Sequence, residues 1–258
     1  MLTGTACAVV MMAASRAAIG HAVALSEKLR ISPFIVGITL VALGTDMPEI
    51  VNSIVSSHFG HGDINVGDSI GSVFAQGTLI LGLFPFVAGG TLPVKRVEIF
   101  LLSGLTALLL VFGMRLVGDG MLSRLDSAAL VLAWVLSIWT AWRLRVVTFE
   151  HHAPAAGADG STLVHVAKLM ALLAIVGGGA AGLVHAVAAV SLSFGVPEYL
   201  VSFFGAALGT SMPELVVDLT AMRRGQREIA LGGILGACLM DASLSLGIGP
   251  MLFPTAVS

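Results

Sequence analysis

Residues 42–49, ALGTDMPE, recur at 207–214 as ALGTSMPE, an offset of 165 residues. The same offset pairs Gly60 with Gly225, Gly67 with Gly232, Gly71 with Gly236 and Gly82 with Gly247. Over 42–82 against 207–247, 15 of 41 positions are identical without a gap. A weaker echo precedes each copy: HAVALS at 21–26 is answered by HAVAAVS at 185–191, one residue longer. A chain duplicated in this way folds as two related halves, and the glycines and prolines it repeats are the residues that shape helices.

The repeat lies in lipid-soluble sequence. Hydrophobic residues make up 57% of the chain and charged ones 11%, with a mean hydropathy of +0.99; a soluble domain carries roughly 25% charged residues. A net charge of −2 without a Lys/Arg block argues against a nucleic-acid partner. Cys7 and Cys238 sit in apolar runs and read as small packing residues. The Ala-rich start has no basic leader and carries Arg16 inside its apolar run, so it reads as a first span and not a cleaved signal. Runs near the roughly 20 residues a membrane helix needs occupy 4–25, 32–57, 64–88, 98–118, 121–142, 164–190, 197–222 and 229–250. The expected fold is therefore all-α: a polytopic membrane protein of about eight spans.

A polar linker at 151–162 (HHAPAAGADGST) divides the chain into a first repeat, 1–150, and a second, 163–258. Loops after odd-numbered spans hold ten basic residues: Lys28, Arg30, Lys95, Arg96, Arg143, Arg145, Lys168, Arg223, Arg224 and Arg227. Loops after even-numbered spans hold two, Arg115 and Arg124. The positive-inside rule then puts the odd loops and the linker in the cytoplasm and the N-terminus outside, in a plasma (bacterial inner) membrane. Five spans separate the two copies of the motif. The second span consequently runs outward and the seventh inward. Inverted repeats of this kind mark secondary transporters with a binding site near the midplane.

Each repeat sets a glutamate, Glu49 or Glu214, in mid-span directly after a proline. An ionised carboxylate in hydrocarbon costs roughly 2.5 kcal/mol or far more, and it persists beside a wet cavity, a partner or a cation. Pro48 and Pro213 lack an N–H, so both helices are expected to kink there and free carbonyl oxygens that must find another partner. Thr45 and Thr210 put hydroxyls on the same turn. Carbonyls, hydroxyls and carboxylates together are hard ligands suited to Na⁺, Ca²⁺ or Mg²⁺. Gln76 and Asp241 hold equivalent positions 27 residues after their glutamates, in helices whose Gly67/Gly71 and Gly232/Gly236 pairs allow close packing.

The segments GTDMPE…GDSIGSVFAQ and GTSMPE…GGILGACLMD resemble the two alpha repeats of the sodium/calcium exchanger family, within the Ca²⁺/cation antiporters, whose usual forms are GTSxPE and GNxxGSN. The resemblance implies inverted five-helix halves, the second truncated here, and alternating access around a central cation site. It assigns that site to Glu49, Glu214, Gln76 and Asp241. Thr45 and Thr210 then lie near flanking Na⁺ sites, with backbone carbonyls from Ala42 and Ala207. Ser211 keeps the family serine that Asp46 replaces, and Ser72 keeps one that Ala237 replaces; Asp68 and Gly233 stand where the family has Asn. The transported ions expected are Ca²⁺ with Na⁺ or H⁺, with no cofactor and no enzymatic chemistry. Asp46 adds charge that favours divalent ions or protons, and its spacing from Glu49 predicts a shared helix face. The family has ten spans, so further helices or a second copy of the chain are expected to cover the flank left open. Two rival readings are a degenerate, non-transporting homologue and an intramembrane aspartyl protease built on GHGD at 60–63. The latter needs a second membrane Asp beside Tyr, and Tyr199 precedes Leu200.

Overall fold

The computed structural model describes residues 2–89, 96–143, 161–191, 203–204 and 207–257, and the fold is almost entirely helical. Residues 151–160 of the linker, Lys95, Arg145 and Tyr199 lie outside these residues. Helices α1 (Leu2–Leu29), α2 (Pro33–Thr45), α3 (Met47–His58) and α4 (Gly62–Ala88) form the first group. They are followed by α5 (Arg96–Val117), the short strand β1 (Met121–Leu122) and α6 (Arg124–Arg143). The remainder comprises α7 (Thr162–Ser191), α8 (Ala207–Thr210), α9 (Met212–Arg223), α10 (Arg227–Leu252) and β2 (Thr255–Ala256).

Local sequence sets the helix starts. Ser32 accepts the Ile35 N–H at 3.3 Å ahead of Pro33, whose missing N–H costs nothing in a first turn. Ser123 and Asp126 form a reciprocal box at α6, with Asp126 N–H donating to Ser123 Oγ and Ser123 N–H to Asp126 Oδ2. At the ends of α3 and α9, Gly60 (φ 78°) and Gly225 (φ 75°) take the left-handed conformation that glycine adopts without strain. These two glycines are repeat partners, so the turns out of both motif helices are built alike.

The chain breaks before its prolines and not at them. Asp46 (φ −76°, ψ 4°) and Ser211 (φ −75°, ψ 4°) leave the helical region in the same way, and α2 and α3 meet at 46°. Pro48 and Pro213 then occupy the first turn of α3 and α9, where an N–H is not required. The kink expected at the proline is thus an interruption two residues earlier.

Helix α10 is the centre of the assembly: its apolar window is 94% buried, against 22% for the windows in α5 and α6. Close approach to α2 explains how. A Cβ on Gly236 would fall 2.7 Å from Ile38 Cα, and one on Gly37 would fall 2.8 Å from Gly233 N. Packing is therefore the role of Gly236, as expected of the spaced glycines. Helices α4 and α10 run antiparallel, since Gly62 packs on Ala256 at one end while Arg227 reaches the Ala88 carbonyl at 3.3 Å at the other. The β1–β2 pair ties the turn between α5 and α6 to the tail of α10.

The outer surface is apolar. Phe86, Phe100, Leu125 and Leu163 are among the most exposed side chains, as an integral membrane protein requires. Among the described residues, four helices are long and apolar enough to cross a membrane: Gly62–Ala88, Ile99–Val117, Arg124–Arg143 and Arg227–Leu252. The bent pair α2–α3 adds a fifth. Helices α1 and α7 cover the first and sixth expected spans. The seventh expected span lies partly outside the described residues.

Candidate functional site

Both helix breaks and two wider turns converge in the interior. Helix α4 widens to a π turn at Ala75–Ile80, which holds Gln76, and α10 does so at Asp241–Ser245. Single π turns inside α-helices recur at functional sites because they swing a side chain out of register. Here they face each other: Gln76 Nε2 donates to Asp241 Oδ2 at 2.8 Å. The pair predicted only by equivalent position is in direct contact.

Glu49, Glu214, Asp46 and Asp241 are all buried with them, as are Ser72, Thr45, Thr210, Ser211, Ala42 and Ala207. Neither oxygen of Glu49, Glu214 or Asp46 meets a donor, and Asp241 Oδ1, Gln76 Oε1 and Ser211 Oγ are also unsatisfied. No lysine or arginine is among the buried residues described. Acceptors outnumber donors here, which in a dry interior is costly unless a cation or proton completes them. Asp46 leaves the helical region, so the regular three-residue face expected to join it to Glu49 is interrupted there. Its carboxyl is buried among those of Asp241, Glu214 and Glu49, acids from both repeats.

The threonines flank this centre. Thr45 Oγ1 donates to the carbonyls of Val41 (3.1 Å) and Ala42 (3.2 Å). Thr210 Oγ1 lies 3.2 Å from the Ala207 carbonyl, 3.1 Å from Asp68 Oδ1 and 3.4 Å from Ser72 Oγ. The Ala42 and Ala207 carbonyls also accept the Asp46 and Ser211 N–H groups at 2.9 and 3.0 Å. Each of these two carbonyls is thus already engaged twice, and a cation would draw on it by displacing the threonine hydroxyl. The Gly60–Asp63 segment lies at the Gly62–Ala256 end, with Asp63 in the first turn of α4.

Two buried acids were not singled out as ligands from the sequence. Asp68, noted there only as a departure from the family motif, accepts Asn52 Nδ2 at 2.6 Å. Asp218, a carboxylate inside the apolar run LVVDLTAM, carries the same sequence signal as Asp241. Asp218 packs against Gly233, with Oδ1 buried and unsatisfied.

A family model described as sodium/calcium exchanger protein matches residues 2–143 and 164–257. The inner membrane protein YrbG of Escherichia coli (strain K12) is 29% identical over 241 residues, covering 87% of this chain and 71% of that protein. A putative antiporter, CaxA of Alkalimonas amylolytica, is 28% identical over 250 residues, covering 90% and 74%. Among solved structures, the sodium-calcium exchanger NCX_Mj shares the fold with a TM-score of 0.75 at 22% identity, over 99% of this chain and 83% of that one.

Proposed function

This chain belongs to the sodium/calcium exchanger protein family, membrane transporters and not enzymes, and we propose that it moves Ca²⁺ or another divalent cation in exchange for Na⁺ or H⁺ by alternating access. The observation that carries this reading is the set of buried carboxylates at Glu49, Glu214 and Asp46, with neither oxygen satisfied, beside Asp241, whose Oδ1 is also unsatisfied. Two like charges about 4 Å apart repel by roughly 4 kcal/mol at an effective dielectric of 20. The empty, ionised site is therefore unstable and takes up a divalent cation, Na⁺ or protons. If only the neutralised site can change its facing, one ion leaves only as another replaces it, which is antiport. Glu49, Glu214, Asp241 and Gln76 ligate the divalent ion, as hard oxygen donors suit Ca²⁺. Thr45, Thr210, Ser72, Ser211 and the Ala42 and Ala207 carbonyls serve the counter-ion, and Asp46 adds charge.

Uptake of ⁴⁵Ca²⁺ into proteoliposomes, driven separately by a Na⁺ gradient and by a pH gradient, tests the reading. Uptake with at least one gradient is expected; none with either would favour a non-transporting homologue. The halves 1–150 and 163–258 are inverted about the linker in this scheme. Single cysteines at the repeat partners His61 and Gln226, in a background lacking Cys7 and Cys238, should label from opposite faces. Labelling of both from one face by an impermeant reagent would end the inverted arrangement.

Asp46 is where the two motifs differ in charge. A carboxylate binds a divalent ion only after losing its proton, so H⁺ competes with the ion and flux falls as pH falls. Asp46→Ser removes one of these clustered acids and restores the symmetric motif. It should flatten the pH profile of divalent flux and favour Na⁺ as counter-ion. Superimposable profiles for the two proteins, with and without a Na⁺ gradient, would show that Asp46 does not take part.

A further inference from the structure

Asp68 and Asp218 stand outside the ligand set assigned above, and the repeat register relates them in an unexpected way. Position 68 corresponds to Gly233, and position 218 to Ser53. Each half therefore keeps one acid between its glutamate helix and its long glycine-bearing helix, but on opposite partners. In the first half the long helix α4 carries it, and Asn52 of α3 holds it. In the second half the glutamate helix α9 carries it. A side chain on Gly233 would collide with the Asp218 carboxylate, so that carboxylate fills the space an acid at 233 would take. The charge stays in the same contact while the helix that supplies it changes.

The two acids also lie on opposite sides of the central cluster. Helix α3 leads from Glu49 to the turn at Gly60, and α9 leads from Glu214 to the turn at Gly225. Those turns lie at opposite ends of the molecule. The first adjoins Gly62 and Ala256; the second adjoins Arg227 and Ala88. Between the two ends runs the 27-residue α4, about 40 Å at 1.5 Å per residue. Asp68 is bonded to Asn52, one turn from Glu49 on the way to Gly60. Asp218 is one turn from Glu214 on the way to Gly225.

We propose that Asp68 and Asp218 are relay carboxylates, each a transient ligand for the cation between the central glutamates and one end of the protein. Asp68 serves the Gly60 end and Asp218 the Gly225 end. Packing alone does not call for a carboxylate at either contact, since an amide has the same shape without the cost of a buried charge. Asp218 is 1% exposed, and its Oδ1 meets no donor. Asp68 Oδ1 shares the Thr210 hydroxyl with Ser72 Oγ and the Ala207 carbonyl, an oxygen set through which an ion passes from the centre towards Gly60.

The inference rests on the antiporter reading and is tested by sided affinity. Half-saturating Ca²⁺ is measured in right-side-out and inside-out vesicles for the native chain, Asp68→Asn and Asp218→Asn. Asp68→Asn should raise it about tenfold on the Gly60 face and less than about twofold on the other, and Asp218→Asn should do the reverse. The pair Asp218→Ser with Gly233→Asp moves the second acid onto the long helix, as in the first half, and should restore affinity to within about threefold of native. Should that pair fail to insert, the two near-isosteric Asn variants decide alone. Equal changes on both faces, or no change in either variant, overturns the relay. Absence of flux in the native chain instead sinks the antiporter reading, so the two failures are distinct.

Discussion

Glu49→Gln or Glu214→Gln is expected to abolish Ca²⁺ flux while leaving the protein inserted and folded. Each glutamate is buried with both oxygens free of donors, and no cationic side chain among the described buried residues compensates it. Glutamine has nearly the same volume, so packing is preserved while one full charge leaves the ion's first shell. A single charge at contact with a divalent ion contributes at least about 3 kcal/mol, or roughly a hundredfold in affinity. The empty protein should respond in the opposite sense, because removing one of several crowded buried carboxylates relieves repulsion. Melting in detergent separates the two effects. The apo variants should melt at or above the native temperature, yet lose the upward shift that Ca²⁺ gives the native chain. Near-normal ⁴⁵Ca²⁺ uptake in either well-inserted variant would mean that these glutamates are packing groups.

That prediction could be written from the repeat alone, and the reason is physical. Two acids at equivalent positions of an apolar chain have few uses other than a shared polar centre, so Glu49 and Glu214 were legible without coordinates. Gln76 and Asp241 were legible as equivalents, and their 2.8 Å hydrogen bond follows from antiparallel packing of the helices that carry them. The π turns at Ala75–Ile80 and Asp241–Ser245 were not legible, because one extra residue in a turn leaves no mark on a uniformly apolar sequence. The setting of Asp46 was legible only in part. The three-residue rule assumes a continuous helix, and the chain leaves helical geometry at Asp46, where its carboxyl meets acids of both repeats and not Glu49 alone. Asp218 carries the sequence signal of a carboxylate in an apolar run, but its place against Gly233 is visible only in the packed structure.

Gly236→Ala should damage stability and the cation site together. Its added Cβ would fall 2.7 Å from Ile38 Cα, 2.8 Å from Ile38 O and 3.0 Å from Ala42 Cβ. Two of these neighbours are backbone atoms, which cannot rotate aside as a long side chain can. Helices α2 and α10 must therefore separate, and overpacking of this kind costs about 1–3 kcal/mol, sometimes more. The offsetting gain in helix propensity from Gly to Ala is only about 1 kcal/mol. Gly82→Ala is the control, since nothing lies within 4 Å of a Cβ there and the propensity gain stands unopposed. Separation also reaches the site. Gly236 is five residues before Asp241 on α10, and Ile38 and Ala42 lead directly to Thr45 and Asp46 on α2. Moving these helices apart draws Asp241 away from the acids supplied by the break at Asp46. Gly236→Ala should thus lower the melting temperature and weaken Ca²⁺-induced stabilisation together, whereas Gly82→Ala leaves the second unchanged and raises the first slightly. A Gly236→Ala protein that melts and binds Ca²⁺ like the native chain would show that α2 and α10 tolerate a wider spacing than their backbone contact implies.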